Sequence, residues 1–242
     1  MIPGGIYFTL ALAIYEKEEG MDVIEAIKTR MSIRGYKPVP VDRKILEEIL
    51  QVATRAPSAD NSQPWEITVV TGKVLDDMRQ ANVAALRSGR PPDPDVPRKP
   101  YEGVFRKRQV ELGIELYQLL GIARDDREKR IAWMERGFRY FDAPAAFILA
   151  ADRSLEMTRS TSDIGGLAQT ICLAALAHGL GSCITSQGVL YPEVVRQYAG
   201  IPETKRLFWS ICIGYPDWEH PVNKLRSTRE PLENNTTWLG FD

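Results

Sequence analysis

MDVIEAIKTRMSIRGYKPVPVDRKILEEILQVATRAPSADNSQPW, residues 21–65, is the stretch on which the reading of this chain turns. Asp22 can cap a helix whose Val23, Ile24 and Ile27 share one face, and Gly35 and Pro38 are expected to end it. That places Arg30-Met31-Ser32-Ile33-Arg34 at the last turn and exit. Asp42 caps a second helix with the apolar stripe Ile45, Leu46, Ile49, Leu50 and Ala53. A polar loop, Ala56 to Gln63, then leads into the alternating strand Trp65–Val70, which Thr71-Gly72 stops. Two arginines flanking a serine can grip a phosphate, because guanidinium forks meet its oxygens bidentately while hydroxyl and backbone N–H groups fill the gaps. A loop of small and amide residues before a strand can line a flat polar ring. Alone, Arg-x-Ser-x-Arg reads more readily as a solvated helix end.

Composition sets the outer limits. The 242 residues allow one sizeable core, and 44% hydrophobic with 26% charged residues is ordinary for a globular chain. A net charge of −1 provides no global attraction to nucleic acid or acidic membranes, so the arginines must act locally. Cys172, Cys183 and Cys212 lie in apolar contexts with no Cys-x-x-Cys, and His178 and His220 are far apart, which argues against a disulfide framework or zinc site and fits a reducing, cytoplasmic location. The apolar run Ile6–Tyr15 is too short to span a bilayer and lacks a preceding Lys or Arg, so residues 1–20 read as an N-terminal extension upstream of Met21.

Beyond the opening stretch, Val74, Leu75, Met78 and Leu86 mark another helix. Residues 91–100, PPDPDVPRKP, read as a surface excursion because five prolines exclude regular structure. Helices are expected over 102–120 and 126–140, the second carrying Trp133, Met134, Phe138, Tyr140 and Phe141, a group better suited to a core than a site. Ala145–Ala151 and Leu207–Gly214 are continuous apolar runs, as in strands buried on both faces, and Ser182–Ser186 is a shorter strand. Between them, Thr161–His178 is rich in small residues and reads as a central helix enclosed by protein, with His178 at its C-terminus in a structural role. Pro192 opens a last helix and Gly200 closes it. The tail from Asp217 lacks periodicity and ends in Trp238 and Phe241, so it needs another surface to pack on. Strands so far apart in sequence require a non-locally assembled sheet.

The pairing of Arg30-x-Ser32-x-Arg34 with Pro57-Ser58-Ala59-Asp60-Asn61-Ser62-Gln63-Pro64-Trp65 resembles the nitroreductase family of FMN-dependent oxidoreductases over residues 21–240, and Leu116–Ile122 is similar to its nitrobenzoate and nitroaromatic reductase branch. Thr158–Gly166 is less like that branch. The resemblance implies one domain over 21–242, an α+β fold with a central mixed or antiparallel sheet flanked by helices, and a homodimer in which the tail wraps the partner. It implies FMN phosphate held by Arg30, Ser32 and Arg34 with Arg229, and less firmly Arg226, from the tail. Pro57, Ser58, Ala59 and Asn61 would meet the flavin from the partner subunit, with Gln63 and Trp65 locking that loop to the strand. Thr185, Ser186, Gln187 and Gly188 would lie near flavin N5, where a donor stabilises the reduced ring. The middle region tends to form a lid in this family, making Phe138 and Phe141 candidates for the substrate pocket.

The implied activity passes hydride from NAD(P)H through the flavin to nitroaromatic, quinone or activated-alkene acceptors in a ping-pong cycle, with no catalytic side chain required and no metal. No Gly-x-Gly-x-x-Gly is present, which suits a nicotinamide that visits and departs. Rival readings are reductive dehalogenation or flavin fragmentation on the same fold, or a non-enzymatic FMN-storage or flavin-sensing protein; consumption of NAD(P)H separates the last from the enzymes.

Overall fold

A run such as Ala145–Ala151, if extended, can satisfy its backbone and bury every side chain in the middle of a sheet covered on both faces. The computed structural model of the chain describes residues 22–241 and places the run there. The extension expected over residues 1–20 lies outside the described residues. Strands β1 (Trp65–Thr71), β2 (Ala145–Asp152), β3 (Gly181–Thr185) and β4 (Lys205–Gly214) form a four-stranded sheet in the order β1-β2-β4-β3. Every pairing in it is antiparallel. Register runs from Trp65 opposite Ala151, through Ala145 opposite Ile213, to Gly181 opposite Gly214, with a bulge between Leu149 and Ala150.

Helices cover both faces. Ala145, Phe147, Leu149 and Ala151 pack beneath α2 (Arg43–Ala53) and α6 (Met157–Ala177), through Leu46, Ile49, Ile164, Leu167 and Ile171. Ala146, Ile148 and Ala150 face the other layer, built from Leu75 and Met78 of α3 (Gly72–Arg87), Val195 of α7 (Pro192–Ala199), and Tyr140 and Phe141. A fully buried Leu, Ile or Phe contributes about 1.5–3 kcal/mol, so the alternation along β2 supplies both cores at once. The α+β architecture expected from the sequence is what the chain adopts. Capping sets several helix starts: Asp22 accepts from Ile24 and Glu25 N–H ahead of α1 (Val23–Thr29), and Asp42 accepts from Lys44 N–H ahead of α2. Gly200 closes α7 in the left-handed conformation at φ 67°.

Two expectations need correction. First, α1 stops at Thr29, short of Gly35 and Pro38, because the chain beyond it leaves the helix to pair with the sheet: Ser32 bridges Ser182 and Tyr36 bridges Pro216. Its Val23, Ile24 and Ile27 are exposed, and only Ala26 is buried. Second, α6 begins at Met157, four residues before Thr161, since the Glu156 carboxylate accepts from Thr158 and Arg159 N–H. Within one chain α6 leaves one face open: Gln169 is exposed, and a Cβ added at Gly165 or Gly166 would meet nothing within 4 Å. His178 caps the C-terminus of α6, with Glu48 3.9 Å away, in the structural role expected of it.

The proline-rich excursion does cross the surface, between α3 and α4 (Gly103–Leu119), but it is pinned at Asp95. That carboxylate is 7% exposed, accepts from Leu207 N–H of β4 at 2.8 Å, and pairs with Arg196 and Arg153. Among the described residues, no helix is long and apolar enough to cross a membrane.

Candidate functional site

The segment Arg30–Lys37 is positioned by the sheet. Ile33 N–H donates to Ser182 C=O at 2.9 Å, Lys37 N–H to Tyr215 C=O at 2.9 Å, and Asp217 N–H to Gly35 C=O at 3.0 Å. Ile33 is buried at 2% exposure in a space that Gly181 leaves by having no side chain; a Cβ there would lie 2.5 Å from Ile33 Cγ1. With Ile33 and Gly35 turned inward, Ser32 and Arg34 on either side of Ile33 line a cavity.

Asn223 ties this segment to the tail. Its side chain is buried, its Oδ1 accepts from Arg34 N–H at 2.9 Å and Gly35 N–H at 3.2 Å, and its Nδ2 donates to the carbonyls of Gly35 and Asp217, both at 2.8 Å. Sequence reasoning missed it, since a single Asn in a tail without periodicity has no local signal. The result is a cavity of about 760 Å³ with Arg30, Ser32 and Arg34 on one wall and Arg226, Ser227 and Arg229 on the other. Leu112 of α4 and Trp218 add apolar surface. Arg226 Nη1 donates to the carbonyls of Asn223 and Leu225, and Arg229 Nη1 to Ser227 and Thr228. Among the described residues no carboxylate lines this cavity. Four guanidinium groups and Lys28 therefore share one space, and a group bearing about two negative charges, such as a phosphate monoester, complements them.

A second set of residues converges on Gln187-Gly188. Thr185 Oγ1 accepts from Gln187 N–H at 3.2 Å, and Gln187 Nε2 donates to Met134 C=O of α5 (Arg127–Phe138) at 3.3 Å. The Tyr140 hydroxyl donates to Gly188 C=O at 2.7 Å, and burial raises its pKa so that it stays a donor. Gly188 must be glycine, because a Cβ would sit 2.4 Å from Tyr140 Cε1. Tyr140, Phe141 and Asp142 all occupy the left-handed region, at φ 57°, 51° and 60°. Such residues cost on the order of 1–3 kcal/mol each. The turn is held by the Tyr140–Gly188 bond and by a two-pronged Arg139–Asp142 pair, both contacts at 2.8 Å. It sets the Phe141 ring 5.9 Å from the Arg34 guanidinium and 6.0 Å from Trp133.

The structure thus brings Arg30, Ser32, Arg34, Arg226 and Arg229 together, and gathers Thr185, Ser186 and Gln187 at another cavity, of about 480 Å³, that Phe138 also lines. Phe138 is mostly buried against Tyr191 at 5.8 Å, and Phe141 is buried beside Arg34. Pro57, Ser58, Ala59 and Asn61 line neither cavity. Their loop lies against α6, with Ala59 N–H 3.3 Å from Asp163 Oδ1, and Gln63 locks it through Ser58 Oγ and Asn61 C=O. Burial pushes the Cys172 thiol up to about 11 and raises Cys183 and Cys212 too, so all three rest as thiols at neutral pH. Among the described residues no cluster of His, Cys, Asp and Glu could hold a metal ion.

The family model described as the Nitroreductase family matches residues 27–215, from α1 through the exit of β4. The chain belongs to the nitroreductase family. Within the family, it is 34% identical over 212 residues to Nitroreductase NfnB of Mycolicibacterium smegmatis, covering 87% of this chain and 89% of that protein. It is 31% identical over 233 residues to 4-nitrobenzoate reductase of Nocardioides sp., covering 93% and 92%. Among solved structures, the FMN and NADPH-dependent nitroreductase NfnB from Sphigopyxis sp. strain HMH superposes with a TM-score of 0.87 at 35% identity, covering 91% of this nitroreductase-family chain and all of that one.

Proposed function

We propose that this protein is an FMN-dependent oxidoreductase that passes hydride from NAD(P)H to nitroaromatic acceptors, with quinones and activated alkenes as further acceptors, in a ping-pong cycle. The observation that carries this reading is a carboxylate-free cavity to which Arg30, Ser32 and Arg34 come from one end of the chain, and Arg226 and Arg229 from the other. Its donor set fits the FMN phosphate, and family membership supports the flavin. When bound, FMN supplies the redox chemistry, taking hydride from a nicotinamide and handing electrons to the acceptor.

The chain's own residues position and enclose. Arg30, Arg34, Arg226 and Arg229 would hold the FMN phosphate, with the Ser32 hydroxyl as a further donor. Thr185, Ser186 and the Gln187-Gly188 backbone are assigned to the flavin N5 edge, on a loop that the Tyr140 hydroxyl and the Gln187 amide fix from behind. Phe138 and Phe141 are assigned to the substrate pocket as wall residues. Pro57, Ser58, Ala59 and Asn61 would reach the flavin of a partner subunit in a homodimer. The open face of α6 at Gly165 and Gly166, and the exposed Trp238, Leu239 and Phe241 of the tail, support that assembly. The functional unit is one domain over residues 21–242, working in the cytoplasm, with residues 1–20 dispensable for FMN binding.

Arg229→Ala tests the clamp. A charge-assisted hydrogen bond contributes about 1.5–3 kcal/mol, equivalent to roughly 10–150-fold in affinity. FMN should bind more weakly by about that factor, and Lys should restore only part because a point charge cannot replace a fork. Riboflavin, lacking the phosphate, should bind wild type and variant equally. If riboflavin weakens as much as FMN, Arg229 supports the ring site or the fold and the clamp is wrong.

A further inference from the structure

We infer that Arg124, Arg127 and Arg130 bind the 2′-phosphate of NADPH and thereby select NADPH over NADH, an inference that rests on the function proposed above. The three arginines line one cavity of about 570 Å³ with Tyr117, Trp133 and Met134. They come from RDDREKR, residues 124–130, a segment whose acidic residues do not line that cavity. Asp126 is engaged elsewhere: it caps α5 through Lys129 N–H at 3.0 Å and pairs with Lys129 Nζ at 3.0 Å. Among the described residues, Arg124, Arg127 and Arg130 make no ion pair with a carboxylate, although acidic residues are their immediate neighbours in sequence.

The cavity has an aromatic side as well as a cationic one. Arg130 lies over the Tyr117 ring at 4.1 Å, which orients its fork, and Trp133 forms part of the same wall. Trp133 in turn touches Phe141, which touches Arg34, so two rings join this cavity to the phosphate clamp. Gln187 lines both this cavity and the one at Thr185 and Ser186. A reductant with its nicotinamide at that loop could therefore lay its far end here. Three guanidinium groups match a phosphate monoester of about two charges, whereas one fork already satisfies a carboxylate. The ring surfaces beside them suit the adenine that adjoins the 2′-phosphate. NADH differs from NADPH only in lacking that phosphate.

The test uses the FMN-loaded protein and the triple variant R124Q/R127Q/R130Q, whose substitutions lie on exposed or half-buried side chains. Wild type should show higher kcat/KM with NADPH than with NADH. The variant should lose about 10–100-fold with NADPH and keep its NADH value within about twofold. Calorimetry supplies a readout independent of turnover: 2′,5′-ADP should bind wild type more tightly than 5′-AMP, and the variant should not distinguish them. Parallel loss with both nicotinamides, or no change with either, would overturn the assignment. So would a raised KM for 4-nitrobenzoate but not nitrobenzene at an unchanged nicotinamide ratio, which would give the cluster to an acceptor carboxylate. If wild type consumes neither nicotinamide yet distinguishes 2′,5′-ADP from 5′-AMP, the proposed activity fails while this site stands.

Discussion

Asp95→Ala removes the carboxylate on which two arginines and a strand amide converge. Asp95 and Arg196 each have side chains 7% exposed, so the substitution leaves a buried guanidinium without its main counter-charge. Breaking such a pair from one side costs about 3–5 kcal/mol. Arg196 keeps a bond to Lys205 C=O at 2.7 Å and the exposed Glu203 at 3.4 Å, which places the expected loss near the low end, about 3 kcal/mol. Burial alone would raise the Asp95 carboxyl, but Leu207 N–H and the Arg196 and Arg153 guanidinium groups more than offset it and hold it below the usual carboxylate range. A group lowered on folding adds stability above its unfolded pKa, about 3.9 for Asp, and that stability drains as pH falls toward the folded value. Urea midpoints at fixed protein concentration should therefore show the full deficit at pH 5–7 and a shrinking one below about pH 4. The excursion that Asp95 pins also carries Pro92 and Arg98 to the rim of the Phe138 cavity, so acceptor KM should rise with the loss of stability. A deficit under about 1 kcal/mol at pH 7, or one that persists unchanged in acid, would refute the reasoning.

Two further outcomes are expected. Asn223→Ala should cost more than about 2 kcal/mol, since it orphans the N–H groups of Arg34 and Gly35 together, and chemical denaturation should show this alongside weakened FMN binding. Gly181→Ala should destabilise by about 1–3 kcal/mol through overpacking against Ile33, seen as a lower Tm, and Ile33→Ala in the same chain should recover part of it.

What could be read from residues alone was whatever burial writes locally. The stripe Ile45, Leu46, Ile49, Leu50 and Ala53, and the run Ala145–Ala151, announced α2 and β2 because period and hydrophobicity report directly on which faces are covered. The exit of α1 has no local signal, because its fate depends on Ser182 and Pro216, far along the chain, whose backbone groups outcompete further helical turns. Tyr140–Asp142 carries no Gly or Asn to mark a left-handed turn, and nothing in the sequence sets Asp95 apart from the other residues among the prolines. Convergence of Arg30 with Arg229 came from family resemblance, not from any pattern within the chain.

The two halves of the proposed phosphate clamp are held by different means, and this bears on what a second subunit would contribute. Arg30, Ser32 and Arg34 sit on backbone paired to Ser182 and Pro216 and stapled by Asn223, so their positions are set before any anion arrives. Arg226 and Arg229 follow the last buried tail residue, Leu225, and among the described residues their guanidinium groups rest only on nearby carbonyl and hydroxyl oxygens of the tail. Beyond them Trp238, Leu239 and Phe241 are 63%, 82% and 76% exposed. Ordering a long side chain on binding costs about 0.5–1.5 kcal/mol, and ordering its backbone costs more. In the proposed homodimer, docking of those aromatic residues on the partner would remove most of that cost from the binding step. Phosphate affinity would then depend on assembly even though every residue of the proposed clamp belongs to one chain.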